Sequence, residues 1–384
     1  MNRGLALLFT LPACRFAQPL GAERDASREA AVDVADEASA ELTWRYGSVS
    51  AGGLRSCATV AGYAWCWGSP WGGALGRTLT APAPSPLLVA GVAAVDEIAM
   101  GDRFSCARSQ GAAWCWGENG EGQIGARGDA RATPERVPGL DDLRAVTACA
   151  KTACARRSDG AWWCWGEQVR GAPREVDELR GATSVALGDA HRCGLWIDGE
   201  AGRLRCAGDN SAGQLGDGTA DAHDAMVDAL GEDGQALTTV VEARAGGLNT
   251  CALLAGRRTV RCWGALTSMP VVTLRADESL RSIGVGELHV CALTEAGRAL
   301  CWGRNNEAEL GDGSTASSDG EGMVAVRVPE GVRLNALSVG LRHACATELS
   351  GEALWCWGYN ASGQLGGGDL DAHLTPVRVA LPDR

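Results

Sequence analysis

Seven times between Cys57 and Cys356 the chain repeats one phrase: a glycine, a cysteine five residues on, and a second cysteine 9 to 13 residues beyond that. Six of the seven second cysteines run directly into Trp-Gly, whereas the fourth, Cys206, runs into Ala207 and Gly208. The glycine slots are Gly52, Gly101, Gly188, Gly246, Gly286 and Gly340, with Cys149 standing in the third. The first and last slots are six periods apart, a mean of about 48 residues per unit. A unit of that size, repeated well beyond three times, restricts the chain to stacked supersecondary units or propeller blades. Short apolar stretches alternate with Gly, Asn, Asp and Ser clusters, and no helical period of 3.6 residues runs through the repeat, so the units read as strands and turns. Four strands fill a unit of this length. The expected fold class is therefore all-β, a seven-bladed β-propeller with one blade per repeat.

Hairpin geometry assigns the cysteines. If each pair sits directly opposite across an antiparallel hairpin, the turn falls midway between them. That places turns at Ala61-Gly62, Gln110-Gly111, Gly256-Arg257 and Ser350-Gly351, and odd loops around Asp159 and Ala296, beside Gly160 and Gly297. The longest loop holds Gly199 and Gly202. Opposed residues are close enough for a disulfide. Seven local cross-strand bridges follow: Cys57 with Cys66, Cys106 with Cys115, Cys154 with Cys164, Cys193 with Cys206, Cys251 with Cys262, Cys291 with Cys301, and Cys345 with Cys356. Each is worth about 2.5 to 3 kcal/mol in the chain-entropy account. His191, His289 and His343 each stand two residues before a first cysteine, but only three repeats have one and no pair has zinc spacing. They are expected to be structural, packed and hydrogen-bonded inside each blade, with no metal bound. Cys149 is the odd thiol of the domain, expected as a small buried residue in a relaxed turn.

Disulfides require an oxidising compartment, and the N-terminus offers a route to one. Met1-Asn2-Arg3 is a basic start, Gly4 to Leu11 a short apolar run, and Leu11-Pro12-Ala13-Cys14 resembles a bacterial lipobox. Residues 1–13 are then a signal peptide of lipoprotein type and Cys14 the lipidated first residue of the mature chain. Ordinary secretion and a misassigned start codon stay open as alternatives. Residues 14–41, acidic and nearly free of aromatics, read as a solvated tether. Residues 42–384 hold the propeller, with repeats near 48–92, 93–140, 141–181, 182–234, 235–278, 279–331 and 332–384. A lipid on the N-terminus would be the sole link to a membrane, giving an exported, envelope-anchored or secreted monomer.

The stretch Leu288-His289-Val290-Cys291 through Cys301-Trp302-Gly303-Arg304-Asn305 and Glu309-Leu310-Gly311-Asp312-Gly313 resembles the regulator of chromosome condensation repeat. Asn210-Ser211-Ala212-Gly213-Gln214-Leu215-Gly216 and Asn360-Ala361-Ser362-Gly363-Gln364-Leu365-Gly366 are similar to its most specific part. The resemblance covers nearly the whole domain and implies the same seven-bladed propeller. In setting, the chain is similar to exported, disulfide-containing bacterial members of that family. Its chromatin-bound member exchanges guanine nucleotide on a small GTPase, a role that needs a nuclear setting, so no exchange residues are carried over.

Function is expected where repeats depart from the pattern. The third and fifth lack the Gly-Gln-Leu-Gly turn. The fourth and sixth carry long acidic loops, one with Asp217, Asp221, Asp224, Asp228, Glu232 and Asp233, the other with Asp312, Asp319 and Glu321. These are candidate contacts for a basic protein partner, and they lack the ligand spacing of a calcium loop. Tryptophan supplies 14 of 20 aromatics, and ten lie beside a second cysteine, as blade core. Trp44, Trp71 and Trp196 fall outside that register and read as core or rim. A net charge of −12 with a single lysine, Lys151, argues against nucleic acid. No nucleophile elbow, phosphate loop or zinc-protease motif is present, so neither catalysis nor a cofactor is expected. The reading is a non-catalytic scaffold that binds an unknown protein through its loop faces. The alternatives are an envelope carbohydrate- or peptide-processing enzyme using rim carboxylates, and a guanine-nucleotide-exchange-like regulator.

Overall fold

The computed structural model describes residues 45–266, 271–318 and 322–381. The expected signal peptide at 1–13, Cys14, the expected tether, Trp44, Asp319 and Glu321 lie outside the described residues. Each repeat forms a four-stranded antiparallel meander. In the first these are Tyr46–Gly52, Arg55–Val60, Tyr63–Gly68 and Ala83–Leu88. Five sheets have four strands; the sixth has eight, being the fourth and fifth meanders joined at Gly202 opposite Val240. Seven blades result, and the inner strand of the first packs on the seventh to close the ring. Every blade is contiguous in sequence, so closure uses no exchanged strand. Tyr46 N donates to Gly351 O at 2.8 Å, and the side chains of the first and seventh blades interlock in one apolar cluster.

Each cysteine pair lies directly opposite in register, as at Cys57 and Cys66 or Cys345 and Cys356, and all seven are bonded. The hairpins turn where the glycines predict. Ala61 and Gly62 both have positive φ, 51° and 79°, the pair of left-handed residues that a two-residue turn of matching twist requires. Seven such bridges suit an oxidising, extracellular environment.

Strand alternation gives each blade a sulfur face and an indole face, and the ring stacks one on the next. Cys57 and Cys66 pack beneath Trp116, Cys106 and Cys115 beneath Trp165, and Cys345 and Cys356 beneath Trp67. The core is thus seven interblade layers, where polarisable sulfur meets aromatic rings. The indole also reads the preceding blade's loop. Trp116 Nε1 donates to Ala74 O, Trp165 to Gln123 O and Trp67 to Gln364 O, at 2.8 to 2.9 Å. These acceptors occupy the Gln position of the Gly-Gln-Leu-Gly turn. The third blade lacks that turn, and the fourth has Ala207 in place of tryptophan, packed among Trp162, Val169 and Leu179. The fifth blade also lacks the turn, yet the sixth keeps Trp302, packed against Leu266, Cys251 and Cys262.

Candidate functional site

At four slots the repeat's glycine makes room for the ring three positions later, Phe104 after Gly101 and a histidine after the other three, whereas Gly52 and Gly246 make room for the next blade at Met100 and Val285. A Cβ on Gly188 would stand 2.0 Å from His191 Cε1, and one on Gly286 or Gly340 would stand 2.4 or 2.5 Å from the same atom of His289 or His343. The imidazole lies flat on the bare glycine and reaches the next blade. His191 Nε2 meets Thr250 Oγ1 at 2.8 Å, and His343 Nε2 meets Ser56 Oγ at 2.8 Å. The histidines therefore bond between blades, not inside each blade as the sequence reading had it. The hydroxyl partner is 59 or 287 positions away and has no local signal. All three rings are buried, and burial holds them neutral, at about 4 for His191, 3 for His289 and 4 for His343.

The equivalent partner position for His289 is Ala344, which has no hydroxyl, and His289 Nε2 has no hydrogen-bond partner among the described residues. Ala344→Ser restores the missing group at a position where three other blades carry one, as Ser56, Ser105 and Thr250. It is expected to raise stability by about 1 kcal/mol, read as a higher denaturant midpoint; an unchanged or lower midpoint would show that the orphaned nitrogen costs nothing.

At the axis, Gly52, Gly101, Cys149, Gly246, Gly286 and Gly340 surround a cavity of about 20 Å³, room for little more than one water-sized molecule. Cys149 stands outside the seven bridges, half-buried and facing this cavity, where the sequence reading expected it buried in a turn. Strand directions put the short inner loops and the long third-to-outer loops on one face, with the hairpin turns and interblade connections on the other. Around the axis on the long-loop face lie Asp102, Asp189 and Glu287, each one residue after a slot. Burial first, then the charges of Asp102, Glu287 and Glu167, push Asp189 up to about 6. Arg342 Nε lies 3.1 Å from Glu287, and Lys151 lies 3.4 Å from Glu167, so the mouth carries mixed charge. These carboxylates escaped the sequence reading, although their fixed offset from the slot could have revealed them.

The acidic loop of the fourth blade is not one loop. The outer strand His223–Asp228 runs through it, leaving Asp217 and Asp221 on the long-loop face and Glu232 and Asp233 on the opposite one. Nor are all its acids available. Asp217 accepts from Asn210 Nδ2 and from Thr219 N and Oγ1, all at 3.0 Å, and lies 3.1 Å from His223 Nε2. Asp228 pairs with Arg203 and Arg205, and Glu232 with Arg261 at 3.2 Å. Asp312 likewise accepts from Asn305 Nδ2 and Ser314 N at 3.2 and 2.9 Å. Asp221, Asp224 and Asp233 are exposed and form no ion pair among the described residues. Among those residues, no group of three His, Cys, Asp or Glu is placed to hold a metal.

A buried asparagine, Asn119, Asn210, Asn305 or Asn360, organises the long loop in four of the seven blades. Asn210 and Asn360 accept from the backbone of Leu215 and Leu365 and hold the loop's far side through Nδ2. That is the physical content of the Asn-x-x-Gly-Gln-Leu-Gly stretch. Trp196 is half-buried, donating to Arg180 O at 3.1 Å, whereas Trp71 is 63% exposed.

Models of the regulator of chromosome condensation (RCC1) repeat match residues 95–123, 280–308 and 352–384. The ultraviolet-B receptor UVR8 of Arabidopsis thaliana is 28% identical over 229 residues, 55% of this chain and 48% of the receptor. The match thus spans about half the length of that relative. The solved structure of human WBSCR16 superposes with a TM-score of 0.72 at 20% identity, over 84% of this chain and 94% of that one. Prp20p of Saccharomyces cerevisiae gives 0.66 at 19% identity, over 82% and 85%.

Proposed function

Because this chain belongs to the regulator of chromosome condensation repeat family and spends its conserved-pattern residues on joining blades, we propose that it is a non-catalytic scaffold that binds a protein through its long-loop face. One observation carries the reading. The paired cysteines, most repeat histidines, the repeat tryptophans and the loop asparagines are engaged within the ring, and what varies from blade to blade is the connection from third to outer strand, as at 69–82, 118–130, 167–170, 209–222 and 359–372. A rigid ring carrying irregular loops is suited to recognition. The structure of Prp20p is described with binding to Gsp1p and histones, which supports a protein as the ligand class. The lipobox-like Leu11-Pro12-Ala13-Cys14 and the seven disulfides support export with a lipid on Cys14.

The full chain, purified from membranes, tests both parts. Its mass should correspond to a mature protein beginning at lipidated Cys14; an unprocessed Met1 would end the anchoring proposal. Used as bait against envelope extract, it should capture a protein that is lost on alanine replacement of Asp221 and Leu370, on the long-loop face, and kept on replacement of Asp233 and Leu349, on the other. The reverse pattern, or glycan or peptide turnover without capture, would overturn the scaffold reading.

A further inference from the structure

Resting on that protein-binding reading, we propose that the seam between the first and second blades on the long-loop face is a docking pocket for a partner segment carrying an apolar side chain beside a carboxylate. Trp71 opens a short turn, Trp71–Gly73, and is the most exposed of the large hydrophobic side chains among the described residues. Beside it lies a cavity of about 460 Å³ walled by Pro70, Trp71, Thr78, Leu79, Thr80 and Ala132. No charged side chain lines it. Fourteen tryptophans serve this chain, and the repeat buries its own against the neighbouring blade; Trp71 is outside the repeat and faces outward.

The loop that presents it is held firmly. Ala74 O accepts from both Trp116 Nε1 and Ser105 Oγ of the second blade, at 2.9 and 3.0 Å. Gly73 lies so close to Ala132 that a Cβ would stand 2.8 Å from its Cα. A large aromatic on a pinned loop is a preorganised contact.

Charge fixes the partner's chemistry. The Arg103 guanidinium sits over the Trp71 ring, 5.3 Å from its centroid. Arg103 is exposed and makes no salt bridge among the described residues, although the neighbouring Asp102 carboxylate feels its charge. The first blade's loop, residues 69–82, carries Arg77 and no acid, and the second blade's loop across the seam carries Glu118, Glu121 and Asp129, so Arg103 is the cation at the Trp71 ring itself. Trp and Arg together, over an apolar pocket, match the composition of interface hot spots. The cation selects a partner carboxylate, and the pocket takes the apolar neighbour. A saccharide fits less well, because two threonines are the only polar side chains on the wall.

The probe is an array of decapeptides centred on Leu or Phe, flanked by Asp and Glu or by Lys and Arg, with a glycan array alongside, read with the full oxidised chain. Acid-flanked peptides should bind selectively. Trp71→Ala should weaken the best of them at least about tenfold, and Arg103→Glu should move selection toward Lys and Arg flanks, with thermal midpoints unchanged. No peptide binding, selection of basic flanks by the natural chain, indifference to Trp71→Ala, or glycan binding lost on Trp71→Ala would each overturn the pocket assignment. Envelope capture that survives Trp71→Ala but is lost with Asp221 and Leu370 would refute this pocket and leave the scaffold reading standing.

Discussion

Lowering the pH from 7 to 4 should cost the propeller on the order of 5 kcal/mol of unfolding free energy, before general acid denaturation sets in. The cause is the three buried imidazoles between blades. His191, His289 and His343 are held at about 4, 3 and 4 in the fold, chiefly by burial, against about 6.5 when unfolded. For a base depressed in this way, the unfolded chain binds the proton first as pH falls. Its stabilising contribution is complete above pH 6.5 and is lost as pH drops from there through 4. By pH 4 this loss amounts to about 3 kcal/mol per ring. Several carboxyls work the other way: burial pushes Asp189 up to about 6 and raises Asp102 and Glu309, and Glu242 goes furthest. Glu242 is pushed up to about 7 by burial, against the pull of Arg244, so the fold gains stability as pH falls from 7 toward 4.5. Glu242 also accepts from Ile283 N at 3.4 Å in the next blade, while Arg244 Nε donates to Ile283 O at 3.2 Å. The three fully buried rings outweigh these carboxyls and leave a net acid loss. Denaturant midpoints at pH 7, 5.5 and 4.5 measure it, and His289→Asn should flatten the slope by about one proton's share. A level profile over that range would mean the imidazoles are not buried neutral.

Gly188→Ala should be strongly damaging for a single added methyl, lowering stability by about 3 kcal/mol. The added Cβ would stand 2.0 Å from Cε1 and 2.4 Å from Nδ1 of His191. That ring is fully buried and tied to Thr250 of the following blade, so it cannot swing aside without opening an interblade seam. Gly120→Ala is the contrast: nothing lies within 4 Å of its Cβ, and the change should be close to neutral. The clash account predicts a particular coupling. Adding Gly188→Ala to a His191→Ala background should cost little more, because the obstructing ring is gone. If the two losses simply add, the glycine is required by its backbone and not by the imidazole.

The candidate site was legible only in part. Charge in the fourth and sixth loops is visible in sequence, but Asp217 and Asp312 as loop fasteners, and Asp228 and Glu232 as ion-pair partners, are not. Their consumption depends on where Asn210, Asn305, Arg203 and Arg261 arrive in space. The outer strand His223–Asp228 was hidden by its polar composition, so acids on opposite faces looked like one rim. Trp71 was visible as a tryptophan outside the repeat, yet its exposure and the pocket beside it depend on how the first blade's loop lies across the second.

The glycine, the paired cysteines and the Trp-Gly that follows them determined, from sequence alone, the unit, the hairpin register, the seven bridges and the propeller. Each of those rests on sterics and hydrogen bonds closed within 9 to 13 residues, so the local order of the chain is enough to specify them. Tertiary structure decided the rest: which blade each histidine reaches, what surrounds Ala207, which acids remain available, and where an indole is left outside. Those outcomes arise at seams between blades, and a seam has no counterpart in the linear sequence until the ring closes and brings Ser56 to His343.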